Sequence, residues 1–245
     1  MGELAGRRIL ITGAASGIGL ATARMFAGQG AHLGLLDRDA EGLAALAGPL
    51  GASAHVADIA DPHAAAGAVT AAARALGGLD GLVHCAGIAD RHRLEDLPVD
   101  EWQRLLAVNL TGTFALCQAA IAPLRAAGAG ATIAAVASAS GLLPSTAGGA
   151  YGATKAGVAM LLKYLAIELA PAVRVNTVAP GMVDTPMSTG GADPEARQAH
   201  AARTYALQRS ARPEEIAEAL LFITSPRSSY MTGACLAVDG GRSYH

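Results

Sequence analysis

Arg7-Arg8-Ile9-Leu10-Ile11-Thr12-Gly13-Ala14-Ala15-Ser16-Gly17-Ile18-Gly19 carries a short apolar run straight into three closely spaced glycines. The run from Arg7 to Thr12 predicts a buried strand and the residues after Gly17 predict a helix, so the glycines occupy a strand–turn–helix junction. Gly13 permits the tight turn, Gly17 lets the backbone approach a pyrophosphate, and Gly19 lets the helix pack close to the strand. A helix opened there offers free N–H groups and the positive end of its dipole to an anion. A second strand, His32 to Leu36, ends in Asp37, an acid placed to accept both hydroxyls of an adenosine ribose. Taken alone, each piece is also what a Gly-rich turn or a solvated acid looks like. Strand, turn, helix, strand and acid in this order predict a dinucleotide site.

Further apolar runs predict strands near Ser53 to Val56, Gly81 to Cys85, Thr132 to Ala137, Arg174 to Val178 and Cys235 to Val238, with helical patterns between them. Such nearly continuous runs belong to a parallel sheet covered on both faces. The expected fold is therefore α/β: one Rossmann-type, doubly wound parallel sheet of about seven strands, flanked by helices and spanning residues 1–245. Thr12, Asp37, Cys85, Ser138 and Val178 fall at or near C-terminal strand ends, where open α/β sheets bind ligands. A long helix is expected from Val99 to Ala126 with Asn109 near its middle, and another opening at Tyr151 and reaching Leu169. Pro, Gly, Ser and Thr concentrate between Thr185 and Asp193, and a loop over about 184–207 is expected to cover the substrate.

Composition narrows the function. The chain has 245 residues, 52% of them apolar, enough for a large single core. A net charge of −2 with scattered Lys and Arg leaves no footprint for nucleic acid. The N-terminal residues lack a hydrophobic signal core and no later stretch approaches a span of about 18 uninterrupted apolar residues, so a cytoplasmic protein without membrane attachment is expected. Cys85, Cys117 and Cys235 sit in apolar segments as reduced thiols, and seven scattered His form no metal-ligand spacing, so no metal is expected.

The chemistry is carried by Tyr151-Gly152-Ala153-Thr154-Lys155, with Ser138 thirteen residues upstream. On a helix, Tyr151 and Lys155 share one face, about 5 to 6 Å apart at Cβ. A phenol with a pKa of about 10 is a poor base at neutral pH, and a neighbouring ammonium stabilises its anion. Ser138 can donate a second hydrogen bond to a substrate oxygen. An isolated Tyr-x-x-x-Lys also suits the solvated face of an amphipathic helix; here it follows a dinucleotide site.

The order of these motifs resembles that of the short-chain dehydrogenase/reductase family over nearly all of the chain. Ala57-Asp58-Ile59 resembles the family's adenine-contacting segment, and Cys85-Ala86-Gly87 stands where the family usually has Asn-Ala-Gly. Asn109, Ser138, Tyr151 and Lys155 match its catalytic positions. Pro180-Gly181-Met182-Val183-Asp184-Thr185 resembles its nicotinamide-carboxamide segment, and Val238-Asp239-Gly240-Gly241 its C-terminal strand ending. The resemblance implies that Gly13, Ser16, Gly17, Ile18, Gly19 and Asp37 hold the adenosine and pyrophosphate, assisted by Asp58, Ile59, Ala86 and Gly87. It implies that Pro180, Gly181, Val183 and Thr185 hold the carboxamide and Lys155 the nicotinamide ribose beside Tyr151. Tyr151 then takes a hydroxyl proton as hydride leaves the same carbon. Asn109 is expected to hold a water between Lys155 and solvent, and two long helices to form a four-helix contact in a homotetramer.

Two departures stand out. Cys85 replaces an Asn whose amide would bridge neighbouring strands, so packing is expected to carry more of the sheet there. Ala135 stands where Asn is common. For the substrate, Met182, Met187, Thr189 and Tyr205, with Leu142, Leu143, Pro144 and the Gly148-Gly149 pair, favour a small carbocyclic or aliphatic secondary alcohol. Arg91, His92 and Arg93 either face an acidic group or form a solvated loop. Arg242-Ser243-Tyr244-His245 either reaches a neighbouring subunit's pocket or frays. NAD is the expected coenzyme: a 2′-phosphate about 4 Å from Asp37 meets repulsion on the order of 4 kcal/mol at an effective dielectric of about 20, and Arg38 is the one residue able to answer it. The alternatives are a 3-oxoacyl reductase acting on carrier protein or CoA, and a non-catalytic dinucleotide-binding regulator.

Overall fold

The computed structural model describes residues 2–144, 148–189 and 193–243. Seven strands form one parallel sheet: β1 (Arg8–Thr12), β2 (His32–Asp37), β3 (Ser53–Val56), β4 (Gly81–His84), β5 (Ala131–Val136), β6 (Val173–Pro180) and β7 (Cys235–Val238), in the order β3-β2-β1-β4-β5-β6-β7. The chain builds from β1 through β2 to β3, then returns to lay β4 on the other side of β1; Ile9 pairs with Leu33 on one flank and Gly81 on the other. That reversal opens a crevice beyond the C-terminal ends of β1 and β4.

Side chains alternate across each strand; both faces of the central strands are buried, while Ala54 and Val56 of the edge strand β3 are exposed. Leu10 and Leu82 enter the core shared with α3 (Pro62–Ala75), α5 (Gly112–Ala127) and α6 (Gly149–Leu169), with Val69, Leu116 and Leu162 from those helices. Ile9, Ile11 and Val83 enter the other core, with Phe26 of α1 (Gly17–Gly28), Leu43 of α2 (Ala40–Leu50) and Leu220 of α9 (Pro213–Thr224). The unbroken apolar runs in the sequence record this two-sided burial.

The helix expected over Val99 to Ala126 is divided. It comprises α4 (Val99–Leu106), a π-turn over Ala107–Thr111, and α5. At the end of that turn the helix passes directly under the loop after β3: a Cβ on Gly112 would stand 2.6 Å from the Ile59 carbonyl oxygen. The stretch Val99–Ala127 is long and apolar enough to cross a membrane by length and composition, and half of its most apolar window is buried in this fold. α6 opens at Gly149, two residues before Tyr151. Its N-cap, Gly148, has φ of 72° and lies so close to the Asp90 carbonyl that a Cβ would approach it to 2.8 Å. Tyr151 therefore sits inside the first helical turn.

Candidate active site

One cavity of about 860 Å³ lies over the crevice, and every site residue expected from the sequence lines it except Asn109. At its adenosine end, α1 begins with no acidic residue in its first turn and no side-chain cap from Ser16, leaving its dipole end to a ligand anion. The glycines differ in what encloses them. A Cβ on Gly19 would stand 2.0 Å from the Gly13 carbonyl oxygen, and one on Gly13 would stand 2.7 Å from the Ala86 nitrogen. Gly17, with φ of 51°, faces only the Thr185 side chain, at 3.0 Å. Asp37 is aimed by its neighbours: Oδ2 accepts from the Ala15 N–H at 2.9 Å and Oδ1 from that of Asp39 at 3.1 Å. Asp58 and Ile59 line the same end, as does the exposed Arg38. The glycine cradle, the open helix end and the aimed carboxylate fit a nicotinamide dinucleotide.

At the other end, Ser138 follows β5 and Tyr151 and Lys155 project from α6. The Ser138 hydroxyl accepts from the Ser140 N–H at 3.1 Å and hydrogen-bonds the Tyr151 phenol. Burial raises the Tyr151 pKa above its ordinary value, opposed only by Ser138. Lys155 is buried, its Nζ donates to the Val136 carbonyl at 2.9 Å, and burial lowers its pKa to about 8. Nζ stands 5.8 Å from the Tyr151 ring centroid. Desolvation of the phenolate therefore outweighs the lowering by Lys155 expected from the spacing, with the ammonium held on a backbone carbonyl.

Asn109 is fully buried behind the cavity. Its Oδ1 accepts from the Ile88 N–H at 2.9 Å, and its Nδ2 donates to the Ile88 carbonyl at 2.9 Å and to Thr154 Oγ1 at 3.1 Å. The side-chain amide thus pins the loop after β4 to α6. Its backbone carbonyl accepts from Thr113 Oγ1 at 2.6 Å.

His84 was not anticipated. Its Nδ1 lies 2.7 Å from Thr12 Oγ1 and its Nε2 lies 2.8 Å from Thr113 Oγ1. Thr113 already donates its proton to Asn109, so it accepts from Nε2–H; Thr12 accepts from the Ala86 N–H at 3.3 Å and donates to Nδ1. The imidazole is therefore neutral, and burial, with Lys155 nearby, lowers its pKa to about 3. This chain ties β1, β4 and α5 together and supplies the polar bridge that the replacement of Asn by Cys85 was expected to leave to packing. The Cys85 thiol is pushed up to about 12 by burial, and all three cysteines are free.

The substrate end combines the loop after β4, α7 (Pro186–Thr189), α8 (Pro194–Thr204) and the turn after β7. Met182, Met187, Tyr205 and Gly148 line it as expected, whereas Leu142, Leu143, Pro144, Gly149 and Thr189 lie outside. Arg197 on α8 pairs with Asp184 at 2.6 Å, and Ser210 Oγ donates to the same carboxylate oxygen at 2.7 Å, drawing the Asp184 pKa down. Asp239 accepts from the N–H groups of Gly241, Arg242 and Ser243, and this turn brings Arg242 to the cavity of its own chain. Tyr244 and His245 lie outside the described residues, as do positions 190–192 of the expected covering loop.

A parallel sheet with a nicotinamide-dinucleotide cradle and a buried Ser–Tyr–Lys group at one sheet edge defines a class of oxidoreductases. A family model described as Enoyl-(Acyl carrier protein) reductase matches residues 13–243. Cis-4-hydroxycyclohexanecarboxylate dehydrogenase of Sinomonas cyclohexanicum is 43% identical over 98% of each chain. The 3-alpha-(or 20-beta)-hydroxysteroid dehydrogenase of Mycobacterium bovis is 38% identical over 98% of this chain and 90% of its own. Among solved structures, a short chain dehydrogenase from Burkholderia cenocepacia in complex with NADP superposes with a TM-score of 0.91 at 33% identity, over 98% of this chain and 99% of that one. A 3-ketoacyl-(acyl-carrier-protein) reductase from Brucella melitensis complexed with NADH gives 0.89 at 36% identity, over 98% and 99%. The chain belongs to the short-chain dehydrogenase/reductase family and is an oxidoreductase of that family.

Proposed function

We propose that this enzyme interconverts a small carbocyclic or aliphatic secondary alcohol and its ketone, with NAD as the preferred coenzyme. The observation that carries the reading is the Ser138–Tyr151–Lys155 group at one end of a cavity whose other end is closed by the aimed Asp37 carboxylate. Bound nicotinamide dinucleotide supplies the hydride acceptor or donor. Ser138, whose oxygen accepts from Ser140, turns the proton it shares with Tyr151 to the substrate oxygen when that oxygen arrives. Tyr151, held protonated by burial, gives its proton to a carbonyl oxygen in reduction and recovers it in oxidation. Lys155, fixed on Val136, holds positive charge beside the phenolate when it forms. Asn109 acts from behind, positioning the loop and helix that carry these groups.

The apolar walls from Met182, Met187 and Tyr205 favour a hydrocarbon frame over a sugar, and the hydroxycyclohexane and hydroxysteroid dehydrogenases above are named for alcohols on rings. The 3-oxoacyl alternative is not favoured: the Sinomonas and Mycobacterium relatives above are named for ring alcohols, and a carrier-protein substrate would favour a basic docking face. A non-catalytic regulator has no use for a buried Lys beside a Tyr and Ser in the coenzyme cavity. We assign a homotetramer, supported by the exposed apolar residues Phe114, Met160, Tyr164 and Ile167 on α5 and α6. A cytoplasmic location is supported by the nicotinamide coenzyme and three free thiols. The test is a panel of secondary alcohols and ketones with each coenzyme, followed by nicotinamide absorbance; no turnover of any member with either coenzyme refutes the reading.

A further inference from the structure

The sequence places three basic residues in a row after β4, and the structure separates their fates. Arg93 pairs with Glu95 at 2.9 Å, and His92 Nδ1 pairs with Asp90. Arg91 has no acidic partner among the described residues and lines the cavity, where its Nη2 donates only to neutral acceptors, the carbonyls of Ser188 at 3.0 Å and Met187 at 3.5 Å. From the opposite end of the chain, the turn fixed by Asp239 brings a second guanidinium, that of Arg242, to the same cavity, again without an acid partner among the described residues. The acids nearby are engaged. Asp90 has a side chain only 2% exposed and is bound to His92 through Oδ1, its Oδ2 being buried without a partner among the described residues; Asp184 is bound by Arg197 and Ser210, and Asp193 caps α8 through the N–H groups of Glu195 and Ala196. A chain of net charge −2 thus places two arginines without an acid partner among the described residues in a cavity also walled by Met182, Met187 and Tyr205, which favours anions there.

We infer that Arg91 and Arg242 form a carboxylate subsite, so that the substrate is an anionic hydroxy acid whose carbinol reaches Tyr151 while its carboxylate lies at the mouth of the cavity. The inference rests on the secondary-alcohol reading and adds the charge of the substrate to it. A guanidinium matches a carboxylate with two parallel donors and holds it more tightly than it holds the neutral carbonyls it now touches. Exchange of the Met187 and Ser188 carbonyls for a substrate carboxylate also couples α7 to substrate arrival.

The experiment compares 4-hydroxycyclohexanecarboxylate with its methyl ester, which keeps the ring and carbinol and removes the charge. The wild type is expected to favour the acid roughly tenfold or more in kcat/KM, mostly through KM, with the preference shrinking at high salt. Arg91→Gln and Arg242→Gln should each bring the acid towards the ester, and Arg91→Lys should retain part of the preference. Equal losses for acid and ester in the Gln variants would overturn the subsite and leave Arg91 as a structural tie to α7. A rise in coenzyme KM instead would assign the guanidinium to the coenzyme and also overturn it. An ester preferred over the acid by the wild type refutes it directly. If neither compound turns over, the secondary-alcohol reading is decided by the wider panel above. The subsite is then read by calorimetry with NADH or NADPH present, using cyclohexanecarboxylate against methyl cyclohexanecarboxylate; tighter binding of the acid, lost in Arg91→Gln, supports it, and equal binding rejects it.

Discussion

Protonation of His84 should make this enzyme acid-labile, by an amount that can be worked from its surroundings. The imidazole is neutral because Thr12 donates to Nδ1, and its pKa falls from an ordinary 6.5 to about 3, first through burial and then through Lys155. A folded pKa below the unfolded one means that the unfolded chain binds the extra proton between those values, so the stability contributed by neutral His84 is complete above pH 6.5 and drains away as pH falls towards 3. At pH 4.5 two units of that window have been crossed, a loss of about 3 kcal/mol, and the whole window amounts to about 5 kcal/mol. Domains of this kind have roughly 5–15 kcal/mol in all, so the effect is large enough to measure. Urea unfolding of the wild type and of His84→Asn at pH 7 and pH 4.5 isolates the contribution, because other carboxylates titrate alike in both proteins. The variant should be less stable at pH 7, having lost the bridge between Thr12 and Thr113, and the gap should narrow by about 3 kcal/mol at pH 4.5. Parallel losses in the two proteins would show that His84 does not titrate in this window.

Tyr151→Phe should retain coenzyme binding, read by fluorescence titration, and lose roughly 10² to 10⁴-fold in turnover; near-normal turnover removes the phenol from the mechanism. Lys155→Met should impair both turnover and coenzyme affinity. Because the Lys155 pKa falls from 10.5 to about 8, the unfolded wild-type chain binds the extra proton between these values, so wild-type stability should rise relative to the Met variant by about 3 kcal/mol across that window; a flat difference refutes the shift. Asp37→Ala should weaken NAD and improve NADP as measured by kcat/KM, whereas wild-type efficiency with NADP equal to or above that with NAD would transfer phosphate binding to Arg38. Sedimentation at micromolar protein should give a tetramer, and a stable monomer contradicts that assembly.

The strands and the coenzyme cradle were legible because each is written locally. Two-sided burial leaves an unbroken apolar run such as Arg8–Thr12, and a turn with positive φ leaves a glycine such as Gly13. Strand limits moved by a residue or two, most at β6, which continues to Pro180. The π-turn at Ala107–Thr111 was hidden because apolar periodicity runs through it unbroken and the contacts at issue lie with Ile59 and Ile88, remote in sequence. The role of His84 needs Thr12 and Thr113 brought together from separate elements; the available signal was a lone imidazole ending the otherwise apolar run Gly81–Val83. Leu142 to Pro144 were misplaced because nearness in sequence to Ser138 does not fix which way the chain leaves the sheet edge. That Arg242 lines the cavity of its own chain was not legible because the Asp239 turn that carries it is a backbone geometry.

The unequal enclosure of the three glycines sets how this scaffold can be re-engineered. Gly13 and Gly19 are locked against backbone, so their replacement displaces β1, α1 and the loop after β4 whatever ligand is intended. Gly17 meets only the side chain of Thr185, but its φ of 51° strains any side chain placed there, so a compensating change at Thr185 relieves the contact and not the backbone. Ala15 contributes its N–H rather than its side chain to aiming Asp37. Coenzyme preference is accordingly expected to respond to Asp37 and Arg38, which line the adenosine end of the cavity. Substitution at positions 13 and 19 instead tests whether the sheet still closes.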